Sequence, residues 1–324
     1  MLAKQGSEHA PKKLSALVVS TTPFDAEGGL DEASLRQHLR RMLNAGVDGV
    51  YMCAPGAGET FSMTPDERDR VIAIAVEELK GKIKVRAMGW EPRLPQEMVD
   101  FVRRVEVIKP DAILIYMLDF GHGVKPTSEE MARYYSMVID STSLPIVISI
   151  IPSLVGYDFP LELLEKLLNR YPSIEGVAYG GPDIDYLSEL IGRFGDRIEI
   201  HSAGPGNALT TLCLGGNGFE GFQANVAPEL YVSTISAFKA KDQRQLTESF
   251  SKLMALNRLT TRDGSPSSMR AVKPLMNAFG LPGAGTLRAP RVPISSAELN
   301  KLVEAILPLK LPGLPAIASA GRAS

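Results

Sequence analysis

The chain has 324 residues, 44% of them hydrophobic and 22% charged, and a formal net charge of -2. That composition suits a folded globular protein, and the near-neutral charge gives no electrostatic reason to bind a polyanion, so no nucleic-acid partner is expected. The polar opening MLAKQGSEHAPKK lacks a secretory signal and no apolar run approaches the roughly 20 residues needed to cross a bilayer, so a cytoplasmic protein without a membrane partner is expected.

From Leu14 onward, short apolar runs alternate with amphipathic stretches. Residues 14–20 (LSALVVS) read as a strand and 31–46 as a helix. Residues 47–53 (VDGVYMC), 83–88 (IKVRAM), 111–117 (DAILIYM), 144–150 (LPIVISI), 173–179 (SIEGVAY), 197–202 (RIEIHS) and 217–223 (NGFEGFQ) supply seven more strands, with a helical stretch between each pair. Strands this apolar have both faces covered, and the strict alternation predicts an α/β fold, a (β/α)8 TIM barrel. Thr64, Pro65 and Glu67 compose a capping box with proline at the first helical position, and Pro172 and Gly195 read as helix stops. After the eighth strand come helical stretches from Pro228 to Ala240, Asp242 to Thr260, Ser267 to Phe279 and Ser296 to Leu307, with no strand between them. The expected organisation is an extension over 1–13, a barrel over 14–227, a C-terminal helical appendage over 228–307, and a tail over 308–324 that is mobile or loosely pinned. Cys53 and Cys213 have no metal or redox spacing and are expected to be reduced and buried.

In a barrel of this kind the reacting groups sit at the C-terminal ends of the strands. Those ends carry Glu59, Trp90, Asp119, His122, Tyr179, Asp183, His201, Gln223 and Asn225, a mixture of acids, bases and aromatic surfaces able to hold a small polar molecule. Each has a structural alternative. Glu59 and Asn225 read as hydrogen-bonding architecture, Trp90 suits packing as well as stacking, and His201 suits a satisfied core position. His122 sits in the glycine-flanked loop Asp119-Phe120-Gly121-His122-Gly123, where an imidazole has little packing reason to be. A divalent ion held by Glu59, Asp119 and His122 or His201 lacks any tight ligand motif, so no metal and no cofactor are expected. Gly204-Pro205-Gly206-Asn207 reads as a turn rather than an anion cradle.

Three stretches carry a resemblance. They are Pro23-Phe24 and Gly28 with Gly58-Glu59, Thr64, Glu67 and Arg68; Leu214 to Gly221 with Ala224-Asn225-Val226; and Val272-Lys273-Pro274-Leu275 with Gly280 and Leu287-Arg288-Ala289-Pro290. In order and spacing the chain resembles the dihydrodipicolinate synthase and N-acetylneuraminate lyase family. The resemblance implies a TIM barrel whose relatives hold a 2-oxo acid as a Schiff base on a lysine of the sixth strand. The matching segment here is Gly176-Val177-Ala178-Tyr179, so Ala178 falls at the lysine position, and alanine has no amine to form an imine. The relatives' proton-relay tyrosine falls at Ser149 and their carboxylate-binding arginine at Leu154. Their paired threonines fall at Gly56 and Ala57, and their tyrosine pair near Leu118 and Asp119.

The resemblance and the polar strand ends together predict a divergent lyase-like protein. It is expected to act by acid–base chemistry on a small oxo or hydroxy acid, sugar-derived acids included, without an imine. His122, Asp119 and Tyr179 are the catalytic candidates, and Gly56, Ala57, Leu154, Trp90, His201, Phe222 and Gln223 the substrate-binding ones. One alternative is a silent binding or regulatory barrel, marked by an interior plugged with Phe222, Leu154 and Tyr179. Another is an aldolase that borrows a lysine such as Lys125. The resemblance also implies a homo-oligomer, tetramer or dimer, with the loop from Leu118 to His122 near a neighbouring subunit.

Overall fold

A computed structural model describes residues 12–261 and 269–315. Eight parallel strands close on themselves in sequence order: β1 (Ser15–Val19), β2 (Gly49–Met52), β3 (Lys84–Met88), β4 (Ala112–Ile115), β5 (Ile146–Ile150), β6 (Ile174–Tyr179), β7 (Glu199–Ala203) and β8 (Gly218–Gly221). Between them run α1 (Glu32–Ala45), α2 (Pro65–Leu79), α3 (Pro95–Ile108), α4 (Ser128–Ile139), α5 (Pro152–Val155), α6 (Leu161–Arg170), α7 (Ile184–Phe194) and α8 (Ala208–Cys213). Beyond the barrel lie α9 (Pro228–Ala240), α10 (Gln243–Thr260), α11 (Met269–Ala278) and α12 (Ser296–Ile306). The expected TIM barrel with C-terminal helices is the architecture found. Closure pairs Leu17 of β1 with Glu220 of β8, so no strand edge is left open.

The local signals act as their chemistry dictates. Thr64 accepts from the Glu67 N–H while the Glu67 carboxylate accepts from the Thr64 N–H, and Pro65 opens α2. Gly218 is the position where β8 requires glycine: its φ is 140°, and a Cβ there would lie 2.1 Å from the Ser15 carbonyl oxygen.

Four expectations need correction or completion. The sequence pattern does not reveal the short helix α5; Pro152 opens it and Gly156 ends it in the left-handed conformation, leaving room for little more than one turn. Cys53 is buried, but Cys213 is exposed, because α8 turns Ala208, Thr211 and Leu212 inward and Cys213 falls off that face. The tail is anchored in its described part, where Leu311 is buried. The expected helix start at Ser267 lies outside the described residues. No helix among the described residues is long and apolar enough to cross a membrane.

The strands' outer faces meet the helices through aliphatic side chains, whereas the barrel interior holds charge. Arg86 of β3 donates to the Tyr51 hydroxyl of β2 at 2.9 Å and to Glu199 of β7 at 2.7 Å, and pairs with Glu175 of β6 at 3.2 Å. Strands β3 and β7 are not neighbours, so the guanidinium spans the interior. His201 of β7 reaches Ser15 of β1 across 2.6 Å in the same way.

The C-terminal helices are fastened to the barrel by buried polar groups. Lys273 of α11 is fully buried, donates to the carbonyls of Thr22 at 2.7 Å and Thr286 at 2.8 Å, and pairs with the buried Glu59. Asn225 accepts from the Thr21 N–H and donates to the carbonyls of Val19 and Phe222, with His38 Nε2 2.9 Å from its Oδ1.

Two outcomes follow. Lys273→Met strands the Glu59 carboxylate without a counter-charge, and a loss of about 3–5 kcal/mol in denaturant unfolding is expected, partly restored by adding Glu59→Gln. Burial holds the imidazole of His38 down to about 4 and that of His201 down to about 3, with Arg41 and Arg86 respectively adding to the effect. Below the ordinary histidine range the unfolded chain then takes up protons that the folded chain refuses. The stabilisation is complete above about pH 6.5 and is lost as the pH falls toward 4. The stability of the wild type relative to His38→Gln should therefore decline over that window, as read by denaturation midpoints.

Candidate functional site

At the C-terminal ends of the strands the barrel opens into a cavity of about 510 Å³. Its walls come from the loop after β2 (Ala54 to Ala57), from Ile151 to Leu154 after β5, from Ala203 to Gly206 after β7 and from Glu220 to Gln223 at the end of β8. The β2 loop is tightly built. Cys53 and Glu59 both take the left-handed conformation, at φ 63° and 55°, and a Cβ on Gly58 would meet the backbone of Ala54 at 2.7 Å. Backbone strain of this kind persists only where surrounding contacts fix it, and here the Glu59–Lys273 pair does so.

Of the expected binding residues, Gly56, Ala57, Leu154, Phe222 and Gln223 line the cavity. Trp90 and His201 do not. Trp90 packs edge-on against Phe101 with the Arg68 guanidinium 4.4 Å above its ring, and His201 is held in the barrel interior by Ser15. Gln223 is tied to Asn257 of α10 at 2.5 Å and accepts from Tyr231 at 3.0 Å, so a C-terminal helix supplies part of the rim. The turn at 204–206 contributes wall as well.

None of the three catalytic candidates lines the cavity. Tyr179 faces outward from β6, stacks on Tyr186 and donates to the Asp183 carbonyl at 3.0 Å, which by strand alternation turns Ala178 inward. Asp119 closes its own loop, accepting from the Gly121 N–H at 2.8 Å and facing Arg93 at 3.6 Å. His122 is exposed, in the left-handed conformation that its glycine-flanked turn imposes. Glu59, Asp119, His122 and His201, the conceivable metal ligands, are dispersed likewise, and among the described residues no three His, Cys, Asp or Glu side chains converge.

Other ionisable groups do line the cavity. Glu220 of β8 lines the cavity although only 3% of its surface is exposed, and its Oε2 has no hydrogen-bond partner among the described residues. Burial raises its carboxyl to about 7, against the opposing pull of Arg86 and a hydrogen bond with Tyr51. Glu91, after β3, is raised by burial and by the nearby Asp119. Tyr116, after β4, is held well above the ordinary phenol range, first by burial and then by Glu91 and Glu220. A carboxyl that titrates near neutrality both gives and takes a proton, and Tyr116 remains a hydrogen-bond donor. Among the described residues, no lysine, arginine or histidine lines the cavity. One signal for Glu220 was present in the sequence: it is the lone charge in the run NGFEGFQ, flanked on both sides by glycine and phenylalanine. Period-two alternation places it on one face, but only closure of the barrel makes that face the cavity floor.

Comparison with known proteins agrees with this architecture. A family model described as the dihydrodipicolinate synthetase family matches residues 12–308. The chain is 31% identical over 278 residues to a 4-hydroxy-tetrahydrodipicolinate synthase of Methanopyrus kandleri, covering 86% of this chain and 89% of that one. It is 25% identical over 287 residues to the enzyme of the same name from Maridesulfovibrio salexigens, covering 89% and 95%. Among solved structures, dihydrodipicolinate synthase from Aquifex aeolicus superposes with a TM-score of 0.82 at 25% identity, over 92% of this chain and 99% of that one. A monomeric dihydrodipicolinate synthase variant superposes at 0.83 with 22% identity, over 91% and 96%, a likeness of fold. A model match along almost the entire barrel and its helices, with a relative above 30% identity over most of both lengths, means that this chain belongs to the dihydrodipicolinate synthetase family.

Proposed function

We propose that this chain is a divergent family member that binds a small molecule at its strand ends and performs lyase-like or other acid–base chemistry through Glu220, without a covalent lysine. The observation that carries the reading is the cavity lining, which offers a buried carboxyl with one oxygen unpartnered and no amine among the described residues. Ala178 stands where the family resemblance expects the imine-forming lysine, and β6 holds no lysine in any register. Ser149, Leu154, Gly56 and Ala57 stand in the same way at the expected relay and carboxylate-binding positions. Neither alternative lysine is better placed. Lys125 is exposed, and the Lys273 amine is committed to two carbonyls and Glu59.

The state of the interior favours an active site over a silent scaffold. Phe222 and Leu154 line the space without closing it, and Tyr179 faces away. In one respect the reading departs from the expected ligand. Nothing in the described lining neutralises a carboxylate, so a simple oxo or hydroxy acid finds no counter-ion there, and a carbonyl or hydroxyl is the group on which Glu220 acts.

The test is a thermal-shift screen of carbonyl and polyol compounds, where a ligand at 100 times its Kd adds about 2.7 kcal/mol, followed by turnover of each stabilising compound. Glu220→Gln is expected to lose about 10²–10⁴-fold in rate while still being stabilised by the ligand. Incubation with pyruvate and borohydride is expected to leave the protein mass unchanged. Undiminished turnover in the variant, or a stoichiometric pyruvate adduct on a strand-end lysine, refutes the reading.

The chain is further proposed to assemble as a homo-oligomer, dimer or tetramer. Leu118 packs inside its own subunit, but Phe120 and Met137 are exposed around a shallow apolar depression with Pro95 and Tyr134, beside the loop expected to face a neighbour. Sedimentation at micromolar concentration should show a species larger than the monomer, and Phe120→Asp with Met137→Glu should shift it toward monomer.

A further inference from the structure

We propose that the strand-end cavity is selective for a small organic cation, an amine whose ammonium group is held by Glu220 with Glu91 and Tyr116 lining the same space. This rests on the reading of that cavity as the functional site, and it adds the charge of what enters.

One guanidinium, Arg86, serves the barrel interior, and it is already engaged by Glu199 at 2.7 Å and Glu175 at 3.2 Å from strands across the barrel. Glu220 lies within its field but outside ion-pair distance, so no cation among the described residues is left to face it. In the pairing register Glu220 stands beside Ala203 of β7 and Leu17 of β1, neither of which offers a polar side chain. The titratable groups that reach it are Tyr51 from β2, Arg86 from β3, Tyr116 after β4 and Tyr231 from α9. Three of these four are phenols kept neutral by burial, and a phenol neither balances a carboxylate nor takes its proton at ordinary pH.

Glu220 lines a cavity of about 510 Å³ with only 3% of its surface exposed, and its buried Oε2 has no hydrogen-bond partner among the described residues, so the carboxyl keeps acceptor capacity that a donor entering the cavity can engage. Glu91 adds a second carboxyl to the same lining. A ligand carboxylate entering here would meet two acids and, among the described residues, no base, whereas an ammonium would supply both charge and N–H donors. The remaining lining is largely apolar, with Val19, Met88, Phe61 and Leu154 among it, which suits a compact carbon skeleton behind the charged head.

Binding of a cation also has a proton signature. Part of the Glu220 population carries a proton near neutrality, and an ammonium beside it favours the ionised form, so the complex releases protons as it forms.

The experiment compares two matched sets of probes by isothermal titration calorimetry: isobutylamine, isobutanol and isobutyrate, and glucosamine, glucose and gluconate. In at least one set the amine is expected to bind roughly tenfold or more tightly than the acid, with the neutral member between them. Repetition near neutral pH in buffers of different ionisation enthalpy should show net proton release with the amine alone. In Glu220→Gln the amine's advantage and the proton release should both disappear, while the neutral member's affinity stays. The proposal is overturned if the acid binds as well as the amine, if the amine's affinity survives Glu220→Gln, or if neither amine binds at tens of millimolar. The two readings of the site fail separately. Amine selectivity without turnover of any compound leaves this inference standing and removes the acid–base function, and Glu220-dependent turnover without amine preference does the reverse.

Discussion

A guanidinium enclosed by a ring of strands has to be neutralised from within that ring, and this constraint orders the rest of the molecule. Water scarcely reaches Arg86, so its charge is met by Glu199 and Glu175 and its N–H groups by Tyr51, from three other strands. These bonds run across the interior, and they fix the relative positions of β2, β3, β6 and β7 where an aliphatic core would allow sliding. They also exhaust the cation. Glu220, on β8, is left with no cation at ion-pair distance among the described residues.

Above that interior, the walls of the cavity are held from outside the barrel. The loop after β2 adopts two left-handed residues because Lys273, delivered by α11, fixes Glu59 from beneath. Asn225 and Arg41 secure the other side by binding backbone groups just beyond β1 and β8. The result is a site whose shape belongs to strained loops and whose rigidity belongs to helices distant in sequence. Glu59 and Glu175 also keep buried oxygens outside any hydrogen bond, but each of those carboxylates has an ion-pair partner, in Lys273 and Arg86. Glu220 differs from both in facing the cavity with no cation at ion-pair distance.

The barrel was legible in the sequence because its signals are local. Apolar runs at regular intervals and a capping box at Thr64 each act within a few residues, and they agree with one another. The site was legible only in part. Gly56, Ala57, Leu154, Phe222 and Gln223 follow their strand ends into the cavity, since position along a strand determines height in the barrel. Height does not determine direction. Tyr179 sits at the right level and points outward, Asp119 spends its carboxylate on its own turn, and His122 is carried off the rim by the conformation of that turn. Glu220 and Tyr116 escape sequence reasoning for the converse reason, because an acid and a phenol inside apolar runs look like strand residues until the ring closes and turns them toward one space.

Asn257 comes from α10, well beyond the eighth strand, yet it joins Gln223 at the cavity rim. The cavity is therefore encoded in separate parts of the chain: the buried carboxyl of Glu220 comes from the last strand, and part of the rim comes from a helix beyond the barrel. Substitutions along α10 can reshape the rim while the strand-borne floor stays as it is, so lineages sharing this barrel are free to vary the entrance independently of the carboxyl beneath it.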